Sequence, residues 1–295
     1  MLLSQSNGPL LVRCGSVGET IRRMREAGFT CVDISFFNSF LKGSPYFEED
    51  YRKKIVREYR EALEKYAVTP VQCHEPSSNA IGDDNGGYYF TKASLAMPMA
   101  GEIGCRSYTV HPGKYNDRAM SKDEFITKNV ASIRRLIPMA EKYRMPILVE
   151  NIGYPGEGYH VSNADDLNEL VDAFDHELVC ANWDVGHAHL FGCDPYESIL
   201  KLGKRLKGLH VHDNRGYVPG AKTPNCDLHL PPFMGHIDFE AVMRALKDVG
   251  YEGTLNFEVG YLNRPFMTAD LVTDYYRALV KSGEQLLRYY DGLGA

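Results

Sequence analysis

Eight short β-branched or apolar runs, each beside a longer segment of helical period, constrain this chain more than any other feature. They are LVRC (11–14), FTCVDISF (29–36), VTPVQCHEP (68–76), CRSYTVHPG (105–113), MPILVENIG (145–153), LVCANWDVGHA (178–188), LKGLHVHDN (206–214) and GTLNFEVG (253–260). Among the intervening segments, ADDLNELVDAF and FEAVMRALKDVG repeat apolar residues at i, i+3, i+4 and i+7, the mark of a helix with one buried face. Apolar strands joined by helical crossovers imply a parallel sheet covered on its outside. Eight such units in 295 residues fit a closed (β/α)8 TIM barrel better than an open doubly wound sheet. No GxGxxG follows the first run, which removes the main support for a dinucleotide fold. No low-complexity stretch or Pro/Gly/Ser linker divides the chain, so residues 1–295 read as a single domain.

A chain of this length buries a large core without disulfides or metal. Its seven cysteines are an odd number, scattered singly with no CxxC, and read as small hydrophobes in a reducing compartment. The net charge of −6 argues against a general phosphate-binding surface and hence against nucleic acid, although a local basic groove can sit on an acidic protein. The start, MLLSQSNGPLLVR, lacks a basic n-region and a sustained apolar h-region, and no run approaches eighteen apolar residues. A cytoplasmic protein that meets no membrane is the expectation.

In a TIM barrel the active site lies at the C-terminal ends of the strands, so what each run ends with is the informative question. The third ends in His74, the fourth in His111, the fifth in Glu150, the sixth in Asp184, the seventh in His210 and His212, and the eighth in Glu258. Strand alternation puts Gln72, Thr109, Asn182, His212 and Asn256 on the same faces, two residues away from these. Glu150, Asp184 and Glu258 would crowd together at one rim, and a divalent cation removes their repulsion. Three carboxylates and an imidazole suit one Mn²⁺, Mg²⁺, Co²⁺ or Zn²⁺, with Mn²⁺ favoured by the oxygen-rich set.

The strings LVEN, WDVGHA, HVHDN and NFEV, in that order at those strand ends, resemble the xylose isomerase-like TIM-barrel superfamily. It contains sugar and sugar-phosphate isomerases and epimerases, inosose dehydratases and type IV apurinic endonucleases. The resemblance covers nearly the whole chain and separates these members poorly. Its isomerase and epimerase branch implies Glu150, Asp184, His210 and Glu258 as ligands of one metal, with Glu150 and Glu258 doubling as acid and base. A metal on adjacent carbonyl and hydroxyl oxygens acidifies the intervening C–H; one Glu removes that proton and the other returns it. His187, Arg215 and Glu157 then resemble substrate-holding residues, and His74, His111 and His229 line the sugar pocket. A keto-sugar dehydratase or lyase would use the same site.

The endonuclease branch implies three metals: His74, His111 and Glu150 for one; Glu150, Asp184, His210 and Glu258 for another; His187, Asp227 and His229 for the third. Two stretches depart from it. EPSSNAIG follows His74 where those enzymes carry a DNA-probing loop, and DLHLPPFMGHID is closer to the sugar-acting branch. The expected function is therefore a metal-dependent sugar isomerase or epimerase acting on a small-molecule sugar.

The remaining residues receive plainer readings. His189 is scaffolding, His212 the partner of a ligand, Asp213 an organiser of loop backbone, and Asp238 an N-cap. Trp183 points away from Asp184 and packs between barrel and helices. Phe36, Phe37 and Phe40 close one side of the pocket. Tyr88, Tyr89 and Phe90 form either a lid or a staple at a helix start. The final stretch, TADLVTDYYRALVKSGEQLLRYY, serves either a homo-oligomer or the covering of the last strand.

Overall fold

The computed structural model describes residues 1–82, 87–116, 118–153, 158–218, 226–260 and 266–293. Its strands are β1 (Leu2–Gln5), β2 (Cys31–Ser35), β3 (Thr69–His74), β4 (Tyr108–Val110), β5 (Ile147–Glu150), β6 (Val179–Asp184), β7 (Leu206–Val211) and β8 (Thr254–Phe257). They form one sheet in the order β1-β8-β7-β6-β5-β4-β3-β2, every neighbouring pair parallel. A parallel bridge from Ser6 to Asp33 joins the two ends of that order, with the Asn7 N–H donating to the Asp33 carbonyl at 3.0 Å. The sheet is thus a closed (β/α)8 barrel.

Helices α1 (Gly8–Cys14), α2 (Val17–Ala27), α3 (Glu49–Tyr66), α4 (Gly87–Ile103), α5 (Lys122–Ile133), α6 (Ile137–Tyr143), α7 (Ala164–Asp172), α8 (Val185–Phe191), α9 (Pro195–Leu202), α10 (Phe239–Asp248) and α11 (Ala269–Gly292) surround it. Side-chain caps start many of them. Ser121 accepts from the Glu124 N–H, Asn163 from Asp166, and Asp238 from Ala241, as expected of Asp238. Among the described residues no helix is long and apolar enough to cross a membrane.

The first apolar run is the exception to the expected strands. LVRC (11–14) is helical, within α1, and the first strand is Leu2–Gln5. Pro9 sits in the first turn of α1, where its missing N–H costs nothing, and Gly15 ends it at φ 66°. A run of four residues, three of them apolar, carries no period that separates strand from helix. The true β1 is disguised because Ser4 and Gln5 are buried polar residues.

Those polar residues reflect how the barrel is filled. Trp183, Leu209, Val211 and Phe257 are fully or almost fully buried strand residues of the core. Toward the mouth, however, the buried strand residues include Asp33, Gln72, Asn182, Glu150, His210 and Asn256 where apolar layers are usual. Gly208 makes room for this: a Cβ there would meet Asn182 Oδ1 and Leu148 Cδ1, each at 2.4 Å. The aromatic groups divide. Phe36 and Phe40 are core, while Phe37 is 41% exposed and lines the mouth. Tyr89 is buried within the first turn of α4 and Phe90 stacks under Arg135, so this group staples a helix.

Candidate metal and substrate site

At the C-terminal ends of the strands a cavity of about 1010 Å³ opens. Four side chains converge at its floor, one from each of four successive strand ends. Glu150 ends β5, Asp184 ends β6, His210 lies in β7, and Glu258 follows β8, its N–H still donating to the Val211 carbonyl at 3.1 Å. Each offers a ligand atom within 4.8 Å of the others. His210 Nδ1 lies 3.0 Å from Glu150 Oε2, 3.3 Å from Glu258 Oε2 and 3.9 Å from Asp184 Oδ2.

The surroundings hold these groups in place. Asn151, next to Glu150, clamps the following strand: its Oδ1 accepts from the Asp184 N–H at 2.7 Å and its Nδ2 donates to the Asp184 carbonyl at 3.0 Å. Asp184 also caps α8, accepting from the His187 N–H at 2.7 Å, and His212 Nε2 lies 2.9 Å from its carboxylate. The Gln72 amide lies 2.5 Å from His210 Nε2, which turns Nδ1 toward the carboxylates. Asn182 Nδ2 donates to Glu150 Oε2 at 3.1 Å. Gly186 is required here, because a Cβ would fall 1.9 Å from the His212 ring.

Two further groups flank the floor. On one side His74 and His111, ring centroids 4.8 Å apart, meet Glu150. On the other, His187, His212, Asp227 and His229 bring ligand atoms within 4.8 Å, with His212 and His229 stacked at 3.8 Å. His229 takes a positive φ of 45°, its Nδ1 tied to the Glu258 carbonyl at 2.8 Å and its Nε2 to Asp227 Oδ2 at 3.0 Å.

Charge dictates what the floor can bind. Burial opposes ionisation of Glu150, yet His210 and His111 outweigh it and hold the carboxyl well below its usual range. Glu258 is likewise lowered against burial by His210 and His229, and Asp184 by His187 and His212. In return Glu150 and Glu258 hold His210 well above the usual imidazole range. Fully buried Glu150 Oε1 and His210 Nδ1 nevertheless lack a well-formed hydrogen bond. Buried polar atoms without partners are costly, and a cation is the partner that three carboxylates and an imidazole lack. The donor set fits a divalent metal.

The sequence candidates fall into three groups. Glu150, Asp184, His210 and Glu258 meet at the floor, and His74, His111, His187 and His229 line the cavity. Arg215 does not join them: its side chain is exposed and absent from the described lining. Glu157 lies outside the described residues. His189 is half-buried in α8, away from the cavity, and Asp213 accepts from the Gly235 and Ile237 N–H groups, organising a loop as expected. Three acids, Asp33 and Glu75 buried and Asp227 partly buried, have roles that strand-end reading passed over. Asp227 was a candidate only under a three-metal pattern, and Asp33 and Glu75 were not candidates. A Glu directly between a strand-end His and a Pro was the available signal for Glu75.

A model of the xylose isomerase-like TIM barrel family matches residues 21–275. An uncharacterized protein of Methanocaldococcus jannaschii is 28% identical over 186 residues, a match spanning 61% of this chain and 59% of that protein's length. Fructoselysine 3-epimerase of Escherichia coli O157:H7 is 24% identical over 259 residues, 82% of this chain and 88% of the enzyme. The crystal structure of the IOLI protein with a binding zinc atom superposes at a TM-score of 0.77 with 17% identity, covering 98% of this chain and 99% of that one.

Proposed function

We propose that this chain, which belongs to the xylose isomerase-like TIM barrel family, is a divalent-metal-dependent sugar isomerase or epimerase. One observation carries the reading: Glu150, Asp184, His210 and Glu258 bring ligand atoms within 4.8 Å of one another at the cavity floor. These four would hold the metal, with Mn²⁺ the first choice for so oxygen-rich a set. When bound, a divalent cation stabilises negative charge on substrate oxygens beside the reacting carbon.

The chain's own residues move the proton. Glu258, kept ionised and 22% exposed in its side chain, takes the proton from a carbon next to a carbonyl. Glu150, which meets the same His210 Nδ1 at 3.0 Å, takes a proton from solvent and gives it to another face or carbon, while Glu258 releases the proton it removed to solvent; general acid–base catalysis of this kind contributes about 10²–10⁴-fold. His74, His111, His187 and His229 hold substrate oxygens from the surrounding wall. The similarity to fructoselysine 3-epimerase supports a sugar derivative as substrate. A dehydratase or lyase on a keto-sugar would begin with the same proton removal.

A second reading, a three-metal phosphodiesterase, is favoured by the two flanking ligand groups. Two measurements separate the readings. Metal analysis is expected to return about one ion per chain for the isomerase and about three for the phosphodiesterase. Incubation in D₂O is expected to place solvent deuterium in a ketose. Incision of an abasic-site duplex, or no exchange across a broad keto-sugar panel, would overturn the isomerase.

A further inference from the structure

We propose that the substrate is an uncharged keto-sugar in two parts: a ketose unit at the metal floor and, joined to it, a second sugar ring seated against Phe37. Turnover rests on the isomerase reading; the site for the second ring does not. The cavity is divided by its chemistry. The floor ligands come from β5 to β8, whereas the chain beyond β1, β2 and β3 lines the opposite side with Ser6, Val12, Phe37, Asn38 and Ser77, none of them charged. At about 1010 Å³ the cavity reaches the top of the range of about 300–1,000 Å³ that houses drug-sized ligands. A single ketose on the floor leaves the uncharged side to be filled.

That side has the surface a sugar ring needs. A pyranose presents a face of C–H groups and a rim of hydroxyls, so an aromatic surface edged by short polar groups matches it. Phe37 follows β2 and is 41% exposed. Its carbonyl accepts the Ser77 N–H at 2.9 Å, and its ring meets that of His74 at 77°, centroids 5.4 Å apart. The platform is therefore held in place and runs on from the wall of the reaction site. Ser6, Asn38, Ser77 and Asn116 line the same cavity, and their side chains make no hydrogen bond among the described residues. Charge narrows the ligand further. The described lining holds the carboxylates of Asp227 and Glu258 and no lysine or arginine. Lys114 lies outside it, its ammonium 5.1 Å from the centre of the Tyr159 ring. A phosphate calls for charge-assisted donors, whereas sugar hydroxyls are served by the neutral amides and hydroxyls present.

Gly8 allows this side to be filled without touching the floor. It lines the cavity, and a Cβ there meets nothing nearer than Ser35 Cβ at 3.5 Å, so Gly8→Leu adds a side chain at ordinary contact distances. In Mn²⁺-loaded protein, kcat/KM for deuterium incorporation is expected to be at least about tenfold higher for the keto-disaccharides lactulose and palatinose than for fructose or fructose 6-phosphate. Phe37→Ala is expected to lower that preference roughly three- to tenfold, the worth of one aromatic contact, and Gly8→Leu to abolish it, with circular dichroism reporting intact folds. A preference for fructose or its phosphate, or a preference that neither variant changes, would overturn the proposal. Titration calorimetry with lactulose and palatinose separates it from the isomerase reading. Exchange into no sugar, together with disaccharide binding that Phe37→Ala or Gly8→Leu weakens, would sink the isomerase and leave the second-ring site standing. No disaccharide binding by the wild type, or binding that neither variant weakens, would overturn the site.

Discussion

His74 and His111 end neighbouring strands, with their rings 4.8 Å apart, and each turns Nε2 to a different glutamate: Glu258 at 3.8 Å and Glu150 at 3.5 Å. What lies behind them differs. His74 Nδ1 meets a neutral carbonyl, and burial together with the nearby His111 pushes its pKa down to about 4. Burial also opposes charge on His111, but Glu150 and Glu75 overcome it and raise the pKa to about 10. At neutral pH one side of the cavity therefore presents a neutral imidazole and the other an imidazolium. The group behind the ring decides its charge, and residue type alone does not reveal it.

The largest effect that tests this contrast belongs to the two glutamates. Glu258→Gln and Glu150→Gln are each expected to lower deuterium exchange by at least about 10²-fold while circular dichroism reports an intact fold. Wild-type exchange by either variant would remove that residue from the proton path. The imidazoles come next. His111→Asn is expected to cost about 10²-fold in kcat, whereas His74→Asn, which removes one neutral hydrogen bond, is expected to raise KM about tenfold. Equal losses of kcat would break the contrast.

A smaller effect concerns an acid buried beneath both sides. Burial raises Asp33 to about 6, against the opposing influence of His210. A carboxyl whose folded pKa exceeds its ordinary value of 3.8 stabilises the fold when protonated. That contribution is complete below about pH 4 and is lost as pH rises through about 6. In chelator-treated protein Asp33→Asn is expected to unfold with the wild type's stability near pH 4 and to exceed it by up to about 3 kcal/mol above pH 6. A constant difference across that window, measured by denaturant titration, would show that Asp33 does not titrate as the barrel interior demands.

The legible part of the site is the part that lies at strand ends. LVEN, WDVGHA, HVHDN and NFEV each place one chemical group where a barrel strand opens into its loop, so the converging set follows once the fold is recognised. Glu75 and Asp227 escaped because each meets a partner that no local period encodes: His111, 36 residues from Glu75, and His187, 40 residues from Asp227. Arg215 was a motif neighbour whose side chain the chain turns outward.

Amino-acid order alone determined the alternation of strands and helices, the parallel barrel and the acids and imidazoles at its mouth, because apolar period and strand-end position are local properties. Tertiary structure decided where the first strand lies, since a four-residue run suits either conformation and it is the pairing of Leu2–Gln5 with β8 that makes that segment the strand. It also decided which imidazole carries charge. That choice depends on whether a carbonyl or a carboxylate stands behind the ring, and only the packing of β3 against β4 puts Glu75 there.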